Sequence, residues 1–228
     1  MLERIPVRWT EAILTPALAV ILASGIVFSG GPARAQNQNV VEAPFGLSWG
    51  WHERDFARHR ISIKYEKRTE SGGKLFWVRN PPKNIKDTGR SGLLITITDR
   101  YGLQRVTWTS IIFYDVLGSA AKARYAELKS AVTQKYGSPN SYEWLSKRKN
   151  FDHLKNQFYR CMSLKGCGNW SSYWTKNVVG GVGLKIVGFK GDNPRNGGWV
   201  RLEYDGPMFS RYLRERPNPP NSKDADAL

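Results

Sequence analysis

The sequence predicts an α+β fold, an antiparallel sheet with one principal helix packed on a face. Three observations support this class. Runs of alternating apolar residues are separated by short turns, one segment has a clear helical period, and long stretches on either side of it lack a second helix. Because a doubly wound parallel fold needs helices between its strands, these long helix-free stretches argue against it.

The strongest strand signal is a hairpin formed by residues 93–98 and 103–113. A polar turn with a glycine at 99–102 separates the two β-branched runs. Alternation predicts two apolar faces that lie side by side, one made by Leu93, Ile95 and Ile97 and the other by Val106, Trp108, Ser110 and Ile112.

The strongest helix signal begins near residue 117 and ends at Gly137. Gly137 and Pro139 are typical of a helix end, and Asp115 or Ser119 is positioned to cap the start. The helix must pack on a sheet, because its apolar residues recur at spacings of three and four: Leu117, Ala121, Tyr125, Leu128, Val132 and Tyr136.

The remaining elements are short, and together they give a single α+β domain at 44–213. Residues 36–43 are predicted to be a flexible lead-in, and the proline-rich polar segment 214–228 a disordered tail. Further strands are predicted at 61–67, 74–79, 142–145, 158–162, 170–176, 183–190 and 199–204.

The first 35 residues have the pattern of a secretory signal peptide. Arg4 and Arg8 precede an apolar run at 12–28, and Ala33 and Ala35 supply the small residues of an A-x-A cleavage site. We therefore expect a periplasmic or secreted protein with no stable transmembrane span once the signal is removed. The alternative is an uncleaved anchor, since the run is near the shortest length that spans a bilayer.

The two cysteines, Cys161 and Cys167, are predicted to form a disulfide, as expected of an even, closely spaced pair in an oxidising compartment. The alternative is a metal pair, but the C-x5-C spacing has no second half and no nearby histidine. We expect neither a metal nor a cofactor.

No residue pattern identifies an enzyme, so we leave catalysis uncertain and expect none. His52, His59 and His153 are interpreted as surface imidazoles. His52-Glu53 lacks the second histidine of a zincin motif, and His59 lies beside Arg58 and Arg60, which would repel a metal ion. Ser119 and Lys122 match the S-x-x-K nucleophile motif, but its partner motifs S-D-N and K-T-G are missing.

Positive charge and aromatic residues are the remaining signal. The chain has 35 Lys and Arg against 19 Asp and Glu, a net charge of +16, and nine tryptophans. Positive charge attracts polyanions, and tryptophan stacks on bases or sugars. Most tryptophans in a folded domain, however, lie in its core. Trp199 is predicted to be the exposed aromatic, because it lies opposite Val200, Leu202 and Tyr204. The predicted binding residues are Trp199, Arg201, Lys147, Arg148, Lys149, Arg58 and Arg60.

Five features in order along the chain resemble a group of uncharacterised exported proteins of Gram-negative bacteria. They are PFGLSWG at 44–50, GLQRV at 102–106, KYGSP at 135–139, a later tryptophan and cysteine pair, and V-x-L-x-Y at 200–204. The resemblance implies an exported protein and carries no activity or binding residue over to this chain.

These observations predict an exported, non-catalytic binding module. Its expected partner is an anionic envelope glycan, a lipid headgroup or an acidic protein surface. The alternatives are a hydrolase acting on the envelope and, less favoured, an exported nucleic-acid-binding protein.

Overall fold

The computed structural model describes residues 39–69, 72–83, 90–154, 156–189 and 197–215. The predicted signal peptide, with Ala33 and Ala35, lies outside these residues. In chain order the elements are β1 (Asn39–Val40), α1 (Glu53–Arg58), β2 (Ile63–Arg68), β3 (Lys74–Val78), β4 (Arg90–Thr98), β5 (Gly102–Ile112), α2 (Ser119–Tyr136), β6 (Asn140–Leu145), a 3-10 turn (Lys149–Leu154), α3 (Phe158–Ser163), β7 (Gly168–Trp174), β8 (Val178–Val179), β9 (Gly181–Gly188), β10 (Gly198–Asp205) and α4 (Phe209–Glu215).

Eight of the strands form one antiparallel sheet, which confirms the predicted α+β class. The order across the sheet is β2-β3-β4-β5-β10-β9-β7-β6. The predicted hairpin is β4–β5, and its register brings Leu93 opposite Trp108 and Ile95 opposite Val106. Strand β10 then lies between β5 and β9, so the centre of the sheet joins distant parts of the chain.

The principal helix α2 packs on one face of this sheet over β9 and β10. Ala121, Tyr125, Leu128 and Val132 of the predicted stripe are buried. Of the two proposed caps, Asp115 forms the bond: its carboxylate accepts from the Ala121 backbone N–H at 3.1 Å. Gly137 ends the helix as predicted, with a positive φ of 81°.

Residues 158–162 form helix α3, so the strand predicted there is wrong. Six residues are too few to distinguish a period of 2 from one of 3.6, and burial decides the outcome. Phe158, Tyr159 and Cys161 are all buried, because α3 packs on β9 and β7. The predicted disulfide between Cys161 and Cys167 closes the loop that follows α3.

Part of the segment predicted as a flexible lead-in is ordered. β1 pairs in parallel with β8, and Val41 beyond it is fully buried. The Val41 carbonyl accepts a hydrogen bond from the Trp49 indole N–H at 2.5 Å. The sequence signal for β1 is weak because its partner strand, β8, lies far along the chain.

The C-terminal helix α4 extends to Glu215, one residue past the predicted start of the tail at 214, and the rest of that tail lies outside the described residues. Among the described helices, none combines the length and apolar character required to cross a membrane.

Candidate functional site

The two faces of the eight-stranded sheet have different surroundings. One face carries the core under α1, α2 and α3. We call the other, opposite α2, the open face. Alternation along β10 assigns Val200 and Leu202 to the core and Trp199, Arg201 and Glu203 to the open face, as the sequence predicts.

A depression of about 340 Å³ lies near the middle of the open face. It brings together Trp199 and Arg201, two of the predicted binding residues, with a second tryptophan, Trp77 of β3. The lining is completed by four residues of the strands β4, β5 and β9: Leu94, Thr107, Thr109 and Val187.

Both tryptophans are held in place by neighbours. The six-membered ring of Trp77 lies over Gly92, where a Cβ atom would come within 2.5 Å of its Cζ3, and its indole N–H donates to Glu66 at 3.0 Å. Trp199 packs edge to face on Phe189, with ring centroids 4.5 Å apart. Trp199 is therefore partly buried rather than freely exposed, and it lines the depression.

Glu203 fixes the cations beside the depression. Its carboxylate lies 2.5 Å from Nη2 of Arg201 and 3.6 Å from Nζ of Lys185. Glu203 is 17% exposed, whereas the Arg201 side chain is 38% exposed. Two cations share one largely covered carboxylate, so the accessible charge is positive. The Nε–H of Arg201 is buried. The remaining Nη donors that do not face Glu203 suit a carboxylate or phosphate of a ligand.

Cations also outnumber carboxylates over the described strands of the open face. The register places six basic residues there, Lys64, Lys67, Arg90, Arg105, Lys185 and Arg201, against three acidic residues, Glu66, Glu203 and Asp205.

Helix α4 borders the open face at one end. Phe209 of α4 lies under the Arg105 guanidinium, 4.1 Å from the ring centroid, and Arg105 is paired with Asp205 through two hydrogen bonds of 2.6 and 3.0 Å. At the opposite end, Phe113 packs on Phe189. The depression lies between these two borders.

The other predicted binding residues do not join this site. Lys147, Arg148 and Lys149 are exposed after β6 at one edge of the sheet, while Arg58 and Arg60 are exposed before β2 at the opposite edge. Arg58 pairs with Asp55 at 3.3 Å. Seven strand spacings of about 4.8 Å separate the two edges, so the clusters lie roughly 30 Å apart.

Ser119 and Lys122 do not form a nucleophile and base. Ser119 is exposed at the start of α2. The Lys122 ammonium donates to the Leu117 carbonyl at 3.3 Å and lies over the rings of Phe158 and Trp170. Lys122 thus covers the aromatic residues between α2 and β7.

A groove of about 580 Å³ beside α2 contains a polar network centred on Tyr125. The Tyr125 hydroxyl donates to Glu143 at 3.0 Å and lies 2.7 Å from the Ser172 hydroxyl. Lys129 donates to the same Glu143 at 2.6 Å. Burial raises the pKa of Tyr125 above its ordinary value, so the phenol stays protonated and acts as a donor that ties α2 to β6 and β7.

The histidines also have structural surroundings. His59 stacks on Trp51, with ring centroids 4.3 Å apart, and His52 precedes α1, where its backbone N–H donates to Asp55 at 2.8 Å. Within the described ranges, no three His, Cys, Asp or Glu side chains gather closely enough to hold a metal ion.

Sequence reasoning missed Trp77, Lys185 and Glu203. A signal for Trp77 is present, because it alternates with Phe76 and Val78, which are buried in the core. Its proximity to Trp199 could not be read from the sequence, since the two residues lie on β3 and β10 and meet only through the strand order. Comparison of the chain with family models, curated proteins and solved structures finds no match, so the geometry of the open face carries the functional argument.

Proposed function

We propose that this protein is an exported, non-catalytic binding module whose open face holds an acidic glycan of the cell envelope. The observation that carries the proposal is the depression lined together by Trp77, Trp199 and Arg201. Aromatic side chains stack on the apolar faces of sugar rings, and a guanidinium pairs with a carboxylate through two parallel hydrogen bonds.

The compartment favours a glycan over a nucleic acid. The disulfide between Cys161 and Cys167 is typical of an oxidising environment, and the N-terminal sequence pattern supports export. Outside the cytoplasm, acidic glycans are abundant polyanions. A lipid surface is a poorer match, because a flat bilayer does not fill a depression between two indole rings.

The first test is binding of polygalacturonate, a linear glycan with a carboxylate on each sugar, measured by calorimetry with neutral dextran as the control ligand. Arg201→Gln should raise Kd roughly tenfold or more, since a charge-assisted hydrogen bond contributes about 1.5–3 kcal/mol. Lys149→Gln is the matched control variant, because it removes the same charge from the exposed start of the 3-10 turn beyond the edge strand β6.

Equal weakening by Arg201→Gln and Lys149→Gln would mean that net charge, rather than this site, holds the glycan. Gly92→Ala adds an independent test. The new Cβ would overlap the Trp77 ring at 2.5 Å and push it from its position, so binding should weaken while the buried core stays intact. Unchanged binding in both Gly92→Ala and Trp77→Ala would remove Trp77 from the site.

A further inference from the structure

The open face has a second group of aromatic residues at its β6–β7 side. Tyr142 and Trp144 of β6 and Tyr173 of β7 are 52%, 43% and 40% exposed. The rings of Tyr142 and Tyr173 are 6.4 Å apart. Tyr173 also lies over a glycine of the next strand, Gly183, with its ring 3.5 Å from the position of a Cβ. At the β3–β4 side of the open face, Trp77 lies over Gly92 in a similar way.

One continuous row of residues connects the two aromatic groups. Direct cross-strand pairs link Tyr142 to Ser171, Ser171 to Lys185, Lys185 to Arg201, Arg201 to Thr109 and Thr109 to Gly92. The row crosses six adjacent strands, and five spacings of about 4.8 Å give a length of about 24 Å. It has aromatic rings at each end and the two cations in the middle.

From this row we infer that the open face binds a linear acidic polysaccharide as an extended chain, laid across the strands over several sugar units. This inference rests on the proposed function and extends it from a single depression to the whole row. The chain would stack at the Trp77–Trp199 side and again at the Tyr142–Trp144 side. Its carboxylates would pair with Arg201 and Lys185 between them.

Charge and shape both favour this occupant. The cations of the open face outnumber its carboxylates, which opposes an equally basic second copy of this chain. Residues in the row face the same way and are regularly spaced. Ser171 is buried, so a linear polymer laid along the row meets Lys185 and Arg201 between the aromatic residues at its two ends. A compact ligand would fill the depression and leave Tyr142 and Trp144 uncovered.

The experiment compares digalacturonate with decagalacturonate on the full exported chain. Wild-type protein should bind the long fragment more tightly. Tyr142→Ala combined with Trp144→Ala should weaken binding of the long fragment by roughly fivefold or more and leave binding of the short one unchanged, because aromatic contacts contribute about 0.5–1.5 kcal/mol each. Tyr65→Ala is the matched control: Tyr65 is also 52% exposed on an edge strand, β2, but it pairs with Phe76 on the core side.

Four results would overturn the inference. Equal affinity for both fragments, or no effect of the β6 variants on the long one, would confine the ligand to the depression while the proposed function stands. Absence of binding to either fragment would overturn both proposals. Tighter binding of a single-stranded oligothymidylate with the same sensitivity to Arg201→Gln and to the β6 variants would identify the row as a nucleic-acid site instead.

Discussion

Asp115 holds the start of α2 against α3, so its removal should destabilise the fold by a predictable amount. Its carboxylate accepts from the Ala121 N–H at 3.1 Å and from the Tyr159 hydroxyl at 2.8 Å. Loss of the helix-start bond costs about 1 kcal/mol. Tyr159 is 4% exposed, and a buried hydroxyl left without an acceptor costs a further 1–3 kcal/mol, approximately. Asp115→Ala should therefore lower the free energy of unfolding by roughly 2–4 kcal/mol.

A double-mutant cycle distinguishes this account from a general loss of helix stability. When Tyr159→Phe has already removed the hydroxyl, Asp115→Ala should cost only about 1 kcal/mol, because no buried donor is left unpaired. The assay is urea unfolding of the oxidised protein followed by tryptophan fluorescence. Additive effects of the two substitutions, or a cost for Asp115→Ala below about 0.5 kcal/mol, would refute the reasoning.

Two further predictions concern covalent and pH effects on stability. Replacing Cys161 and Cys167 together by serine should cost about 2 kcal/mol, because the disulfide closes a short loop; a melting temperature in reducing buffer equal to that in oxidising buffer would contradict this. Burial raises the pKa of Tyr125, Tyr159 and Tyr204 in the folded protein above the ordinary value of 10.0. The contribution of these three tyrosines to folding stability is complete below pH 10. It is lost as the pH rises above 10, because the unfolded chain then releases its phenolic protons before the folded protein does. The unfolding midpoint of the Cys161→Ser, Cys167→Ser double variant should stay constant as the pH is raised from about 8 and should decrease once the pH exceeds about 10.

Local patterns in the sequence predict most of the fold. The β4–β5 hairpin and α2 follow from periods of 2 and 3.6 over long segments, and Gly137 follows from the chemistry of helix ends. The failures are short segments whose state depends on distant partners. Residues 158–162 are helical because α3 packs on β9 and β7, and residues 39–41 are ordered because β8 and Trp49 bind them.

The candidate site is less predictable for the same reason. Alternation correctly assigns Trp199 and Arg201 to the face opposite the core, but only the strand order brings β3 next to β4 and β10 next to β5. The basic clusters of the sequence show the converse: residues close in the chain lie apart from the depression. Lys147, Arg148 and Lys149 are consecutive in the chain, yet they extend from one edge of the sheet, far from the residues that the strand order gathers at its centre.

The division of the sheet into two faces separates the residues that stabilise the fold from the residues of the proposed binding site on the same strands. On β10, Val200 and Leu202 are buried and hold the fold, while Trp199 and Arg201 alternate with them and face the depression. Partly exposed aromatic rings and an excess of cations add little to stability, because stability comes from apolar area removed from water and like charges repel. Gly92 also adds little to stability, because it lacks a side chain to pack and so weakens its strand. It does, however, make room for the Trp77 ring. Under the proposed function, these features would become favourable together once a ringed, acidic ligand covered the open face.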